Sequence, residues 1–165
     1  MTRYLSRRVF SRLRDCTGAN LIEAALILPL LLLLSVSIAD FGALFYVHLA
    51  IENGVSQATR YAVTGNLVDD PLNPGSKLSR DDSIKTIMRQ ATPTLYIGDT
   101  DFVFTHKAPG AAAWSAGSGG PGEIGRVEIN HAWKFLNPLL WPFFPPSGQI
   151  TLTAASAMKN ESLFK

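Results

Sequence analysis

The chain has 165 residues, of which 47% are hydrophobic and 17% charged, and its formal charge is only +2. That length accommodates one ordinary domain together with a membrane segment. The charge is unevenly placed: residues 1–18 hold five arginines and one aspartate, so 5 − 1 = +4, and the remainder balances to −2. A basic tip before a mildly acidic body is not the basic face of a nucleic-acid-binding domain, so no nucleic-acid partner is expected. A single cysteine, Cys16, excludes an intrachain disulfide and a multi-cysteine zinc site.

An apolar run starts after Glu23: residues 24–39 contain no charged side chain, and apolar residues resume after Asp40. If helical, residues 24–47 would extend about 36 Å at ~1.5 Å per residue, which exceeds a hydrocarbon core of ~30 Å. The arginines on the N-terminal side then predict a cytoplasmic N-terminus and a C-terminal domain across the membrane. A buried core helix is the alternative, which five consecutive leucines beside a basic tip disfavour.

The junction between the basic leader and the apolar run has a specific spacing. Gly18 ends the leader, and Glu23 is the fifth residue after it. This pattern ahead of a long apolar span resembles a class III prepilin processing site, and the resemblance implies cleavage between Gly18 and Ala19. It also implies that Glu23 neutralises the N-terminal amine of a neighbouring subunit. The residues alone also fit a first-turn acid at Glu23, favoured by the helix dipole.

The resemblance extends along the apolar segment. Residues 12–65 resemble the TadE family of tight-adherence pilus assembly proteins, which share a Glu-x-Ala-Leu-x-x-Pro core and a helix that ends near Ala-Arg-Tyr-Ala. The matching residues are Glu23, Ala25, Leu26, Pro29, Arg60, Tyr61 and Ala62. Thr59 stands where alanine is usual, and the Asn160-Glu161 pair is similar to the end of the family's closing strand. The subunit contacts implied by the resemblance are Glu23, Pro29, Arg60 and Tyr61.

This resemblance implies a minor pilin or pseudopilin of a bacterial Flp-type IV pilus, acting in pilus assembly, initiation or capping. The implied partners are the inner membrane, a prepilin peptidase, and other pilins, minor pilins and pilus assembly proteins. The implied location is the bacterial inner membrane, in a single pass with a cytoplasmic N-terminus and a periplasmic C-terminal domain, or the pilus itself. The sequence contains no catalytic motif, metal-ligand set or phosphate loop, so neither catalysis nor a cofactor is expected.

The apolar spacing predicts one long helix over about residues 21–63, embedded in lipid in its first half and amphipathic in its second. Gly65 is predicted to end it, and Gly42 and Gly54 are expected weak points, at ~1 kcal/mol each relative to alanine. In the second half, apolar or small residues recur three or four positions apart and so share one face. These residues are Leu44, Val47, Ile51, Val55, Ala58 and Ala62.

The residues after the long helix are predicted to form a small soluble domain, so the expected fold is α+β, with the lollipop shape of pilins. The expected parts are a leader (1–18), a helix (19–64) and a domain (65–165). Its expected elements are a loop over 65–79, a helix over 80–91 capped by Ser79, and strands over 101–106, 125–135 and 148–159 that form an antiparallel sheet packed on the long helix.

Two loops of the domain carry their own predictions. Residues 111–125 are rich in glycine and serine and are interpreted as a flexible hairpin linker. Residues 133–148 contain four prolines and are predicted to form no regular element. Their large apolar side chains either fold over the domain's core or meet another subunit or the membrane surface.

Two other interpretations stay open from the sequence. Residues 1–39 could be a long signal peptide, with Ser37 and Ala39 before the cut, releasing a secreted soluble binding domain that begins at Asp40. Alternatively, the chain could be an uncleaved single-span membrane protein. The apolar helix that continues past Asp40 argues against the signal peptide, as does Glu23 at the head of the run.

Overall fold

The computed structural model describes residues 17–144 and 147–162, so most of the predicted leader lies outside the described residues. The elements in chain order are helix α1 (Thr17–Val63), helix α2 (Arg80–Ala91), a 3₁₀ turn (Asp99–Asp101), strand β1 (Phe102–Lys107), strand β2 (Ser115–Ala116), strand β3 (Ile124–Lys134), a 3₁₀ helix (Pro138–Phe143) and strand β4 (Gln149–Lys159). The α+β class and the long first helix are confirmed. The chain divides at Asp40–Phe41 into two units, which are described separately.

The sheet is antiparallel, with strand order β2-β1-β3-β4. The three predicted strands are confirmed, and β3 and β4 pair along their full lengths, with His131 opposite Leu152. Strand β2 was not predicted, because its two residues lie inside the glycine-rich segment. These residues pair with β1 at Thr105 and His106. The sheet therefore gains a short fourth strand at one edge.

The second half of α1 supplies the helical side of the domain core. Its predicted apolar face is confirmed, since Val47, Ile51, Val55 and Ala58 are all buried. They belong to one cluster with residues from α2 and from strands β1, β3 and β4. The helix ends as predicted, because Gly65 adopts a positive φ of 67°, which glycine tolerates without a steric penalty.

Helix α2 has the predicted bounds, and Ser79 caps it by accepting a hydrogen bond from the Asp82 amide. It packs closely on α1 at Gly54, where an added Cβ would lie 2.6 Å from Met88 Sδ and 2.7 Å from Thr92 Cγ2. Gly54 therefore has a packing role in addition to its expected cost in helix propensity. Its missing side chain makes room for Met88, which is completely buried.

The glycine-rich segment is held in place by hydrogen bonds, which corrects its interpretation as a flexible linker. The Gly120 amide donates to Glu123 Oε2 (2.7 Å), and the Gly120 carbonyl accepts from Asn160 Nδ2 (2.8 Å). Asn160 is itself buried, and its amide donates to the Glu123 carbonyl (2.7 Å). The Asn160-Glu161 pair thus closes this loop and, through the Glu161 amide, reaches the Val63 carbonyl at the end of α1 (3.0 Å).

The proline-rich segment also differs from its prediction, because Pro138–Phe143 form a 3₁₀ helix. Proline is tolerated in the first turn, where a helix has free N–H groups anyway. Asn137 caps this turn, accepting a hydrogen bond from the Leu139 amide through Oδ1 (3.0 Å). We call residues 135–144 the aromatic loop. Phe135 anchors it, with its ring centroid 5.5 Å from that of Phe41 and 4.5 Å from that of Phe144.

Candidate functional site

The candidate site is the segment of α1 that precedes Phe41. Its apolar side chains are exposed around the whole helix, and no residue of the most apolar stretch of 18 residues is buried inside the molecule. Among residues 17–144 and 147–162, one helix, Asn20–Val63, is long and apolar enough to cross a membrane. A helix that is apolar on every side suits a lipid environment or the centre of a helix bundle.

The two serines of this segment satisfy their hydroxyl groups within the helix. Ser35 Oγ donates to the Leu31 carbonyl and Ser37 Oγ to the Leu33 carbonyl, each over 2.8 Å. Polar groups in hydrocarbon need partners from the protein, since water is absent there. The hydroxyls of Ser35 and Ser37 are therefore compatible with a membrane interior.

The predicted processing residues lie together at the start of α1. Gly18 is exposed in the first turn, and an added Cβ would meet no other atom within 4 Å. Residue 19 is helical, and Glu23 follows one turn later with an exposed side chain. Pro29 is also exposed, inside the continuous helix. Gly18, Glu23 and Pro29 are thus not covered by other described residues of the chain.

Arg60 and Tyr61 form a separate group in the last turn of α1, within the second unit. Arg60 is exposed and Tyr61 is partly buried. A cation in the last turn of a helix is favoured by the partial negative charge at that end. This position therefore stabilises the charge of Arg60 within its own helix.

Thr59 was noted in the sequence only as a departure from the family's usual alanine. It is 2% exposed, and its Oγ1 donates to the Val55 carbonyl (2.7 Å). The same hydroxyl lies 3.5 Å from the Ser156 carbonyl on β4. A buried hydroxyl costs free energy unless it is hydrogen-bonded, and these two carbonyls provide that compensation.

The titratable side chains of the second unit form pairs at separate places. The histidine–carboxylate distances are 3.4 Å for His48–Glu52, 3.7 Å for His106–Glu123 and 3.2 Å for His131–Asp101. No group of three or more potential metal ligands occurs among the described residues. Burial lowers the pKa of Arg80, while the nearby carboxylates of Asp81 and Glu123 act in the opposite direction.

An open groove of about 340 Å³ lies between α1 and the segment that follows α2. Its lining contains no carboxylate, histidine or cysteine: Tyr46, Leu49, Ala50, Asn53, Ala91, Thr92, Pro93 and Thr94. Tyr46 is the one titratable side chain among the described residues that line this groove.

The geometry above coincides with a known family segment. Residues 18–60 match the TadE-like protein family. This match confirms the resemblance and begins at the predicted cleavage glycine. It ends at Arg60, so Tyr61 and the Asn160-Glu161 pair lie outside the matched segment. No curated protein and no solved structure gives a significant match to the chain.

The TadE-like segment contains the whole exposed apolar stretch and the first residues of the second unit's core, including Val47 and Ile51. A TadE-like segment suggests involvement in a tight-adherence pilus. With a candidate membrane span in the same segment, the chain is consistent with a membrane-anchored pilus component.

Proposed function

We propose that this chain is a minor pilin or pseudopilin of a bacterial tight-adherence, Flp-type IV pilus that acts in pilus assembly, initiation or capping. The observation that carries the proposal is the exposed apolar stretch of α1 before Asp40, which lies within the TadE-like segment and is headed by Gly18 and Glu23. Removing one leucine or isoleucine side chain from water is worth about 1.5–3 kcal/mol. Such a helix therefore requires lipid or neighbouring apolar helices, which a membrane and a pilus provide in turn.

The proposed processing step is cleavage between Gly18 and Ala19 by a prepilin peptidase. This peptide bond lies in the first turn of α1, and the first four N–H groups of a helix have no intrahelical acceptor. The first turn can therefore open at low cost to enter a peptidase. An exposed glycine at the cut also presents no side chain to the enzyme.

Glu23 is the proposed assembly contact. After cleavage the new amine at residue 19 carries a positive charge, and Glu23 lies one helical turn from it on the same chain. Within a bundle of apolar helices, the carboxylate of one subunit would pair with the amine of the next. Such pairing offsets the cost of burying either charge alone. Pro29, Arg60 and Tyr61 are proposed as further contacts between subunits.

The proposed location is the bacterial inner membrane, with the leader in the cytoplasm and the second unit in the periplasm until assembly. The arginine-rich leader supports this orientation, because positive charge is retained on the cytoplasmic side. The mature chain should remain with membranes after high-salt washing and be released by detergent, because apolar insertion is insensitive to ionic screening. Release by salt would contradict membrane insertion.

N-terminal sequencing of the mature protein, isolated from cells with a complete pilus system, tests the proposal directly. A start at Ala19 supports prepilin processing, whereas a start at Met1 indicates an uncleaved single-span protein. A start at Asp40 indicates a secreted binding domain. The secreted domain is retained as an alternative because the second unit begins at Phe41 and has its own core. The helix that runs unbroken through residues 39–40 disfavours that cut.

A further inference from the structure

We propose that the aromatic loop, residues 135–144, inserts its exposed apolar side chains into the outer face of the membrane that α1 spans. The inference goes beyond the proposed pilus function and rests on its membrane-anchoring part. Three large apolar side chains of the loop face outward: Leu136 and Phe143 are each 76% exposed, and Leu139 is 53% exposed. No charged residue occurs between Phe135 and Gly148.

The loop is built to hold this arrangement. Trp141 Nε1 donates to the Phe135 carbonyl (2.9 Å), and the Phe135 amide donates to the Gly148 carbonyl (3.0 Å). Gly148 has a φ of 71°, and a side chain there would collide with the Trp141 indole. These internal contacts hold the backbone of the loop in one conformation. The exposure of Leu136, Leu139 and Phe143 is therefore a fixed property of the loop.

The position of Phe41 in the chain identifies the bilayer as the occupant. Residues 21–40 of α1 measure about 30 Å at ~1.5 Å per residue, the thickness of a hydrocarbon core. Phe41 is the next residue, so it falls at the outer boundary of that core. Because the Phe135 ring contacts Phe41, the aromatic loop lies at the same level. Exposed apolar residues also continue along α1 at Phe45 and Leu49.

The chemistry of the loop matches a lipid–water interface. Tryptophan and other aromatic side chains concentrate at this depth, and lysines beside them reach the headgroups. Trp141 is partly exposed, and Lys134 Nζ lies 5.0 Å from its ring centroid. A neighbouring pilin could also cover an apolar patch. The membrane is favoured because it surrounds α1 at the level of Phe41 before any other subunit arrives.

The test places a fluorescent label at single cysteines in the full chain, after Cys16→Ser removes the natural thiol. Phe143→Cys and Leu139→Cys report on the loop. Leu72→Cys is the matched control, since it is 86% exposed and lies beyond the far end of α1. Leu30→Cys reports on the anchor itself. Each variant carries a nitrobenzoxadiazole label and is reconstituted into phosphatidylcholine–phosphatidylglycerol vesicles, with doxyl-labelled lipid or aqueous iodide as the quencher.

We expect the labels at positions 139 and 143 to lose most of their fluorescence to doxyl lipid and to resist iodide, with the label at position 72 showing the reverse. Two loop positions are used so that one poorly folded variant does not decide the result. If both loop labels match position 72 while position 30 is quenched by lipid, the loop proposal is overturned and the anchor stands. If position 30 is not quenched either, membrane anchoring fails as well. Shielding that appears only after other pilins are added would assign the loop to a neighbouring subunit and overturn the membrane contact.

Discussion

Arg80 joins the end of α1 to the start of α2: its Nη2 donates to the Ala62 carbonyl over 2.8 Å. Its Nη1 donates to the carbonyl of Gly119 in the glycine-rich segment. One guanidinium thereby satisfies a carbonyl in the last turn of α1, where helices lack internal donors, and also holds the glycine-rich segment beside it. Burial lowers the pKa of Arg80, which reflects the desolvation that these hydrogen bonds offset.

We therefore expect Arg80→Met to destabilise the second unit by about 1–3 kcal/mol, because two partly buried carbonyls lose their donor. The measurement is chemical denaturation of the full chain in detergent, followed by near-ultraviolet circular dichroism. Arg60→Met is the control, since it removes an exposed guanidinium from the same helix end and should change stability by less than ~0.5 kcal/mol. Equal effects of the two substitutions would show that the carbonyl contacts of Arg80 contribute nothing.

Gly54→Ala should lower the free energy of unfolding by about 1–3 kcal/mol, the usual cost of overpacking. The new methyl group would collide with Met88 Sδ and Thr92 Cγ2, which outweighs the gain of ~1 kcal/mol in helix propensity. Gly42→Ala is the matched control, since a Cβ there meets no atom within 4 Å. It should be neutral or stabilising when both variants are compared by chemical denaturation in detergent. Stabilisation by both substitutions would contradict the tight packing at Gly54.

Gly18→Leu should leave the leader attached, if the peptidase accepts no side chain at the cut. The variant should accumulate at the precursor mass, as measured by mass spectrometry of the membrane fraction. Gly42→Leu serves as the control, because it alters an exposed glycine of the same helix away from the junction and should be processed normally. Mature protein at the usual level from Gly18→Leu would remove Gly18 from the processing site.

Glu23→Gln separates the two interpretations of that residue, because it keeps the shape and removes the charge. If Glu23 pairs with a neighbouring amine, the amine is left buried without its counterion, at a cost of about 3–5 kcal/mol. The variant should then be cleaved and inserted normally but lose co-purification with partner pilins in detergent. If Glu23 is only a first-turn acid, the substitution costs under ~1 kcal/mol. Normal cleavage with undiminished partner recovery would support that second interpretation.

Acid should destabilise the second unit below about pH 4. The hydrogen bond with Ser79 lowers the pKa of Asp82, and the hydrogen bond from Arg89 lowers that of Asp99. Because the unfolded carboxyls, with pKa values of ~3.9, take up protons first, this stabilisation is complete above that range. It is lost as the pH falls through the lower folded values. Urea denaturation midpoints at several pH values between neutrality and acid measure the effect.

Asp99→Asn provides the control for that prediction. The variant should be less stable than the unsubstituted chain at neutral pH and should lose less stability on acidification, since one linked group is gone. An unchanged dependence on pH in Asp99→Asn would show that the Arg89–Asp99 pair makes no contribution.

Local signals in the sequence were sufficient for several elements. Helix α2 could be bounded from Ser79, the acids after it and the proline at position 93, because caps and breakers act within one turn. The spacing of Gly18 and Glu23 likewise needed no structure. The role of Arg80 was not predictable, since its acceptors lie 18 and 39 residues away in the chain. The packing role of Gly54 was not predictable for the same reason, because Met88 belongs to another helix.

The candidate site itself shows a different limit. The structure shows that Glu23 and Pro29 are exposed, which the sequence did not indicate. It also places Arg60 and Tyr61 in a separate group. The 3₁₀ helix at Pro138–Phe143 was missed because proline counts predict breaks, whereas proline in a first turn is compatible with a short helix.

The contact between β4 and α1 also bears on the order in which the protein can fold. Thr59 and Ser156 are separated by 97 positions, and Leu152 and Ala154 of β4 complete the core that Val55 and Ala58 begin. Among the described elements β4 comes last in the chain, so α1 is synthesised before the strand that covers its buried face. A core that depends on such distant contacts closes late and slowly. Under the proposed topology, the second unit therefore crosses the membrane as an open chain and closes its core only after β4 has followed.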